Sequence, residues 1–287
     1  MEIRLATTMG FCRGVSRAVK MATEALAIGK KEHTPVYALG PLIHNPQTIE
    51  QFARDGLILI DEPEEVPPGT VILRAHGISD TLRERIRGAG HQIVDATCPV
   101  VTRNLSQIAR YSTTHHVLIV GHEGHPETMA MQGVHTEDGT LVPTRLITDV
   151  ASVGALAGGA AYAVFVQTTY AQKPWQAIQE QLSEQARMQG AELLFASAIC
   201  VSSQHRRTAL LALSEVCDGI IIIGGKESAN TRALYELARS TGVKAWHIEG
   251  AKEVDEVMRH CAILGITAGA STPDSVVQAV VDALRLR

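Results

Sequence analysis

The chain has 287 residues, of which 45% are hydrophobic and 20% charged, so it is long and apolar enough to bury a sizeable core. Its formal net charge is −4, which leaves no basic excess to neutralise a nucleic-acid backbone. Nucleic-acid binding is therefore not expected, and any anionic ligand must be met by a local set of donors.

The N-terminal sequence MEIRLATTMGFCRG lacks the basic region and long apolar stretch of a secretory signal, and the apolar runs elsewhere are too short to cross a membrane. We therefore expect a cytoplasmic protein with no membrane partner. Five cysteines, an odd number spread over the chain, argue against a disulfide framework in a reducing compartment. Metal binding, catalysis and inert burial are the roles left open for them.

Short apolar runs alternate with longer amphipathic stretches along the chain, which is the pattern of a parallel α/β fold. The predicted strands, in chain order, are residues 36–39, 70–73, 116–120, 161–166, 218–223 and 262–266. Each precedes a Gly-rich or polar loop and then a helical pattern, such as 231–239 or 274–285. The sequence thus predicts six strand-loop-helix units.

The six units fall into three pairs, and a cysteine precedes each pair at the head of a further predicted helix. Counted from Cys12, Cys98 and Cys200, polar residues recur 27 to 32 and again 64 to 71 positions later. The first set is His44, His125 and Ser228; the second is His76, Thr168 and Ser271. The alternative is that any α/β protein spaces its loops this evenly.

This repeat predicts three similar small α/β modules, with parallel sheets around a pseudo-threefold axis and a central iron-sulfur cluster. The predicted modules are residues 13–97, 98–198 and 199–287, joined by the N-terminal segment 1–12. Ligands of parallel sheets bind beyond the carboxyl ends of the strands, so this arrangement brings the three cysteines to one cavity.

Three cysteines without CxxC spacing suit a cluster held between modules better than a zinc ribbon, whose cysteines come in pairs from tight turns. A cubane with three cysteine ligands, here Cys12, Cys98 and Cys200, leaves one iron open to a substrate oxygen while the cluster supplies electrons. The expected chemistry is therefore reductive. Cys217 and Cys261 lie in apolar patterns and are assigned to inert burial.

A second predicted set of residues follows strands and carries imidazole, hydroxyl and amide groups. Its members are His44, His76, His125, Ser228, Asn230 and Ser271. Together with loop N–H groups, as in AHGIS and TAGAS, these donors can surround a diphosphate with little help from Lys or Arg. A single loop histidine is more often a solvated surface residue, but the shared position after strands favours a binding role.

Glu127, in GHEGHPET, is the predicted proton donor, because enclosure in a cavity disfavours its charged form and raises its pKa toward neutrality. Thr168, in VQTTY, is predicted to relay that proton by a hydrogen bond. The alternative for Glu127 is a carboxylate held at a helix N-terminus by the helix dipole.

Three other motifs are rejected. His122 and His125 lack the HExxH spacing that places two zinc ligands on one helix face. In IIIGGKESAN, Ile220 stands where the first glycine of a P-loop belongs and Glu227 where its hydroxyl residue belongs, so triphosphate binding is not expected. No GxGxxG fingerprint follows the first strand of a module, so electrons are expected from a separate protein.

Several segments, in order, resemble the LytB family, the 4-hydroxy-3-methylbut-2-enyl diphosphate reductases of the methylerythritol phosphate isoprenoid pathway, over residues 3–283. They are GFCRGVSRAV, HNPQ, RAHGIS, DATCP, GHEGHPE, QTT, the Cys200 loop, SAN and TAGASTPDS. The resemblance implies one 4Fe-4S cluster on Cys12, Cys98 and Cys200 and proton delivery by Glu127 and Thr168. It also implies that the diphosphate is bound by Thr168 together with the imidazole, hydroxyl and amide residues His44, His76, His125, Ser228, Asn230 and Ser271. It implies a two-electron, two-proton dehydroxylation to isopentenyl and dimethylallyl diphosphate, with ferredoxin or flavodoxin as external donor.

Two segments depart from the family pattern. The serine pair before the asparagine is here Ser228-Ala229, and the threonine-rich stretch after the third cysteine is VSSQHRR, with Ser202 and Ser203 as smaller hydroxyl residues. Losing one hydrogen bond to a charged oxygen costs roughly 1.5 to 3 kcal/mol if nothing replaces it. The alternatives are a paralogue acting on another phosphorylated allylic alcohol, a non-catalytic cluster-based sensor, and a zinc hydrolase using His122 and His125.

Overall fold

Strands and helices alternate along residues 1–286, which are the residues that the computed structural model describes. Within them the strands are β1 Glu2–Leu5, β2 Val36–Leu39, β3 Leu57–Ile60, β4 Thr70–Leu73, β5 Gln92–Asp95, β6 His116–Val120, β7 Thr144–Ile147, β8 Ala161–Val166, β9 Glu192–Phe195, β10 Gly219–Ile223, β11 Lys244–Ile248 and β12 Ile263–Ala268. The α-helices are α1 Arg13–Glu32, α2 Pro46–Arg54, α3 Asp80–Gly88, α4 Pro99–Tyr111, α5 Pro126–Gln132, α6 Gln172–Gln189, α7 Val201–Ser214, α8 Ala229–Ser240, α9 Glu256–Arg259 and α10 Asp274–Arg285. Short 3-10 turns cover Pro63–Glu65, Ala151–Val153 and Ala251–Glu253.

The strands form three four-stranded parallel sheets with the same internal order. The orders are β3-β2-β4-β5, β7-β6-β8-β9 and β11-β10-β12-β1. The N-terminal strand β1 therefore occupies, beside β12, the edge that β5 and β9 occupy in the other sheets. This confirms the predicted class of three similar parallel α/β modules. The exact module boundaries stay a prediction, and Arg287, at the end of the third, lies outside the described residues.

The six predicted strands are the two central strands of each sheet, and none of the six edge strands was predicted. Central strands are covered on both faces, so they read as continuous apolar runs; β10, for example, is buried at all five positions. Edge strands such as β3, whose Ile58 and Leu59 are exposed, carry a weaker pattern. The prediction of six strand-loop-helix units was therefore incomplete, and three bounds need correction: β10 begins at Gly219, β12 is Ile263–Ala268, and α8 is Ala229–Ser240.

Helices cover both faces of each sheet, and alternate residues of a central strand enter different cores. In β10, Ile221 and Ile223 pack in one cluster, whereas Ile220 and Ile222 pack in another. In β8, Val164 packs in one cluster and Phe165 in another. Because both faces are filled, the open carboxyl ends of the strands are left to build a site. Among the described residues, no helix is both long and apolar enough to cross a membrane.

The contrast between central and edge strands can be tested with one substitution at two places. Ile221→Ala removes a side chain that is 0% exposed, so we expect a loss of about 2 to 5 kcal/mol in unfolding free energy. Ile58→Ala acts on a side chain that is 47% exposed and should cost less than about 1 kcal/mol. Urea unfolding measures both, and equal losses would contradict this assignment of the core.

Candidate active site

Each of the three predicted cluster cysteines is the N-cap of the first helix of its module. Cys12, Cys98 and Cys200 precede α1, α4 and α7. Each donates its backbone N–H to the carbonyl two residues beyond the second central strand of a sheet. The pairs are Cys12 to Ala270 (3.2 Å), Cys98 to Ala75 (3.0 Å) and Cys200 to Thr168 (2.9 Å). The same hydrogen bond therefore places a thiol at the carboxyl end of all three sheets.

The three thiols lie around one space, and Gly14 borders it. An added Cβ at Gly14 would lie 2.7 Å from Cys98 Sγ and 3.8 Å from Cys12 Sγ. Burial raises the pKa of Cys98, and the neighbouring thiols of Cys12 and Cys200 raise it further. Among the described residues, no three His, Cys, Asp or Glu side chains are grouped closely enough to hold one metal ion. Three soft thiolates spaced more widely around a glycine fit a multinuclear iron-sulfur cluster.

Arg206, which the sequence analysis did not single out, supplies a buried cation beside these thiols. Its guanidinium donates to the carbonyl of Ser202 at 2.8 Å and to that of Gly10, and its Nε is buried without a partner. Burial lowers the pKa of Arg206, whereas the thiols of Cys12 and Cys200 act in the opposite direction. A cation here offsets part of the negative charge of bound thiolates. Its only sequence signal was a basic pair in VSSQHRR.

One cavity brings together every predicted site residue. It is lined by Cys12, His44, His76, Cys98, His125, Glu127, Thr168, Cys200, Ser228, Asn230 and Ser271, and also by Ser202, Ser203 and Ala229. The cavity lies at the carboxyl ends of the strands of all three sheets. Residues more than two hundred positions apart thus share one wall, as the repeat predicted.

Three histidines form one side of the cavity. The ring centroids of His44 and His76 are 4.9 Å apart, and those of His76 and His125 are 5.6 Å apart. Burial is the largest cause that lowers the pKa of all three, to about 4 for His125, and the positive charge of Arg74 acts in the same direction. The imidazoles are therefore neutral at pH 7, and each has one N–H to donate.

The third module adds hydroxyl and amide groups to the lining of the cavity. Ser271 Oγ donates to the carbonyl of His44 at 3.0 Å, which ties the first and third modules together. Asn230 Nδ2 and His76 Nδ1 are buried without a hydrogen-bond partner. Buried polar atoms without partners are rare, so these two are suited to a polar ligand.

The structure refines the second set of the repeat. His76 and Ser271 lie three residues beyond β4 and β12, and the residue at that position after β8 is Thr169. Thr169 also lines the cavity, whereas the predicted Thr168 lies one residue earlier. Thr168 was predicted because counting along the chain from Cys98 cannot distinguish two adjacent threonines.

Glu127 is 1% exposed and forms two hydrogen bonds with one residue. Its Oε1 accepts the backbone N–H of Thr168 at 2.8 Å, and its Oε2 accepts the Thr168 hydroxyl at 2.8 Å. Burial raises the pKa of Glu127 to about 7, although both hydrogen bonds act to lower it. Glu127 does lie in the first turn of α5, but its carboxyl oxygens bind Thr168 and not the helix N–H groups.

His122 and His125 have different surroundings, which disfavours a shared zinc ion. His122 Nδ1 lies 3.1 Å from Gln167 Oε1, and its ring packs against Tyr170 at 4.9 Å. His125 Nδ1 accepts the backbone N–H of Glu127 at 3.1 Å. Of the two, only His125 lines the cavity that holds the cysteines.

The chain is similar to known proteins along its whole length. The family model described as LytB protein matches residues 3–285. A 4-hydroxy-3-methylbut-2-enyl diphosphate reductase of Caldanaerobacter subterraneus subsp. tengcongensis is 35% identical, covering 99% of this chain and 97% of the relative. One of Tolumonas auensis is 36% identical, covering 99% and 91%. The structure of the E-1-hydroxy-2-methyl-but-2-enyl-4-diphosphate reductase of Plasmodium falciparum superposes with a TM-score of 0.87 at 25% identity, covering 98% and 87%.

Gly14 gives a test of the cluster fit that does not depend on turnover. Gly14→Ala places a methyl group against the Cys98 and Cys12 thiols, so the anaerobically reconstituted protein should lose most of its iron and acid-labile sulfide. Gly88→Ala, whose Cβ would meet nothing within 4 Å, is the matched control and should bind iron as the wild type does. Circular dichroism checks that both fold. Unchanged iron content in Gly14→Ala would contradict the placement of a cluster here.

Proposed function

The chain belongs to the LytB family, and on that basis we propose that it reductively removes the hydroxyl group of 4-hydroxy-3-methylbut-2-enyl diphosphate. The products are isopentenyl and dimethylallyl diphosphate, and two electrons and two protons are consumed as the hydroxyl leaves as water. The observation that carries this proposal is one cavity lined by three thiols, by neutral polar donors and by a buried carboxyl whose pKa is raised to about 7.

Cys12, Cys98 and Cys200 would hold a 4Fe-4S cluster with one iron free of cysteine. When bound, such a cluster supplies single electrons and a Lewis-acidic iron. The chain shapes the site in three ways. Hydrogen bonds from the backbone N–H groups of the three cysteines fix the positions of these residues, and Gly14 leaves room between the thiols. Arg206 provides a compensating positive charge. Support comes from these contacts and from the soft donor set.

The substrate diphosphate would lie among His44, His76, His125, Ser228, Asn230 and Ser271. Neutral imidazoles donate to an anion without repelling one another, and an arriving negative charge raises their pKa and strengthens those bonds. The unpartnered Asn230 Nδ2 and His76 Nδ1 would gain partners when substrate binds. The half-buried Arg74 adds positive potential behind the histidines, as its effect on their pKa indicates.

Glu127 and Thr168 would deliver protons. A carboxyl with a pKa of about 7 is protonated in about half of the molecules at neutral pH, and it can donate to Thr168 Oγ only 2.8 Å away. The threonine hydroxyl can then pass its own proton to the leaving oxygen. The carbonyl of Thr168 also accepts the Cys200 N–H, so the proton path is anchored to the same loop as a cluster ligand.

We place this reaction in the cytoplasm, with electrons from an external carrier such as ferredoxin or flavodoxin and with no nucleic acid or membrane as partner. The absence of a dinucleotide fingerprint in the sequence favours an external electron carrier, and the net charge of −4 disfavours nucleic acid as a partner.

A second candidate substrate, another phosphorylated allylic alcohol, is favoured by one observation. Ala229 lines the cavity where the family pattern has a serine hydroxyl. Ala229→Ser restores the hydroxyl of the family pattern and one hydrogen bond to the diphosphate. It should therefore lower KM for 4-hydroxy-3-methylbut-2-enyl diphosphate by up to about tenfold. Turnover by Ala229→Ser but not by the wild type would instead assign the wild type another substrate.

The pH profile of turnover tests the role of Glu127. With a reduced viologen as donor, kcat/KM should fall about tenfold per pH unit above pH 7, because Glu127 loses its proton there. Glu127→Gln should lower kcat about 10²- to 10⁴-fold and remove this limb of the profile. Glu123→Gln changes an exposed carboxyl of the same loop and should leave both unchanged.

Iron content is measured for each variant, so that loss of the cluster is not mistaken for loss of the acid. A wild type with intact iron that does not turn over this substrate would overturn the proposed function. Full activity in Glu127→Gln would leave the function standing and reject Glu127 as the proton donor.

A further inference from the structure

The three cysteines are also reached from a second side of the protein. A second cleft, of about 750 Å³, is lined by Cys12, Cys98 and Cys200. It lies between the first turns of α1, α4 and α7 and the loop that follows β9. None of the predicted diphosphate-binding residues lines it. The thiols therefore line both the substrate cavity and a cleft with no assigned role.

The rim of this cleft carries positive charge without compensating acids. Arg13, Arg17 and Arg103 line it and are exposed, and its lining within the described residues includes no Asp or Glu. Arg17 is fixed by hydrogen bonds to the carbonyls of Thr97 (3.0 Å) and Asp95 (3.3 Å). The Asp95 carboxylate is bound by Arg83 at 2.9 Å and accepts the Thr97 N–H, so it does not pair with Arg17.

Exposed apolar side chains lie inside the arginine rim. Val100 is 40% exposed and Val201 is 59% exposed, and each is one or two residues after a cysteine. An apolar centre surrounded by charge is the usual composition of a protein interface. In a chain of net charge −4, a local cluster of three unpaired arginines also stands out electrostatically.

We propose that this arginine-rimmed cleft, defined by Arg13, Arg17, Arg103, Val100 and Val201, is the docking surface for an acidic one-electron carrier protein. The inference rests on the proposed function, which needs two electrons from outside the chain. An acidic carrier complements the rim, and contact with Val100 and Val201 brings its redox group close to the thiols that line the same cleft. The predicted diphosphate-binding residues stay free, because none of them lines this cleft.

A second basic cleft serves as the comparison. It is lined by Lys173, Arg207 and Arg232 and adjoins the substrate cavity through Thr169 and Ala229. No cysteine lines it within the described residues. A carrier docked there would contact residues of the substrate cavity and none of the three cysteines. Both clefts are basic, so the position of the cysteines, and not charge, favours the first cleft as the docking surface.

Binding is measured on anaerobically reconstituted holoenzyme by calorimetry, with an acidic bacterial ferredoxin and, in parallel, a flavodoxin as probes. Arg103→Glu reverses one rim charge and should raise the Kd for the carrier about tenfold at low salt, with a smaller rise for Arg103→Gln. The difference should shrink as salt is raised. Lys173→Glu makes the same charge change at the other cleft and should alter the Kd less than twofold.

Turnover driven by dithionite-reduced methyl viologen separates the two proposals. It should be equal in the wild type and all three variants, since a small reductant needs no docking surface. If an iron-replete wild type showed no viologen-driven turnover, the proposed function would be overturned. The Kd values of the variants would still test whether the carrier binds at this surface. An unchanged Kd in Arg103→Glu, weaker binding in Lys173→Glu, or no binding of either carrier to an active wild type would overturn the docking proposal.

Discussion

In each of the three sheets, the backbone N–H of a helix-capping cysteine donates to the carbonyl two residues beyond the second central strand. This bond sets the first turn of the following helix against the sheet and turns the thiol toward the middle of the molecule. Because the sheets share one strand order, the bond is made three times and three distant thiols meet. The other features of the site depend on this convergence, since the loops that carry the polar donors leave the same strand ends.

Burial then sets the charge state of the cavity. It keeps His44, His76 and His125 neutral and Glu127 close to half-protonated at pH 7. The same desolvation therefore gives uncharged donors for an anion and a carboxyl able to release a proton. The Glu127–Thr168 pair holds the acid in place, and the link from Thr168 to Cys200 fixes the acid relative to the thiols.

The sequence was most informative where burial is complete on both faces. Strands such as β8 and β10 could be predicted because they are buried at five consecutive positions, whereas β1 and β11 could not because their partly exposed faces weaken the pattern. The cysteine repeat and the family resemblance were enough to assemble the cavity lining. Contacts that depend on packing were not accessible: Gly14 reads as an ordinary helix residue, Arg206 as a surface charge, and Thr169 cannot be told from Thr168 until the end of β8 is known. Only the structure shows that β1 completes the third sheet, because its partner β12 lies near the other end of the chain.

Single cysteine-to-serine substitutions, with iron and acid-labile sulfide measured after anaerobic reconstitution, test the central claim most directly. If three modules deliver one thiol each to a single cluster, Cys12→Ser, Cys98→Ser and Cys200→Ser should each lose most of the iron. Cys217→Ser and Cys261→Ser change thiols buried in the third module's cores and should retain it. Full iron content in any of the first three variants, or loss of iron in either of the last two, would contradict the account.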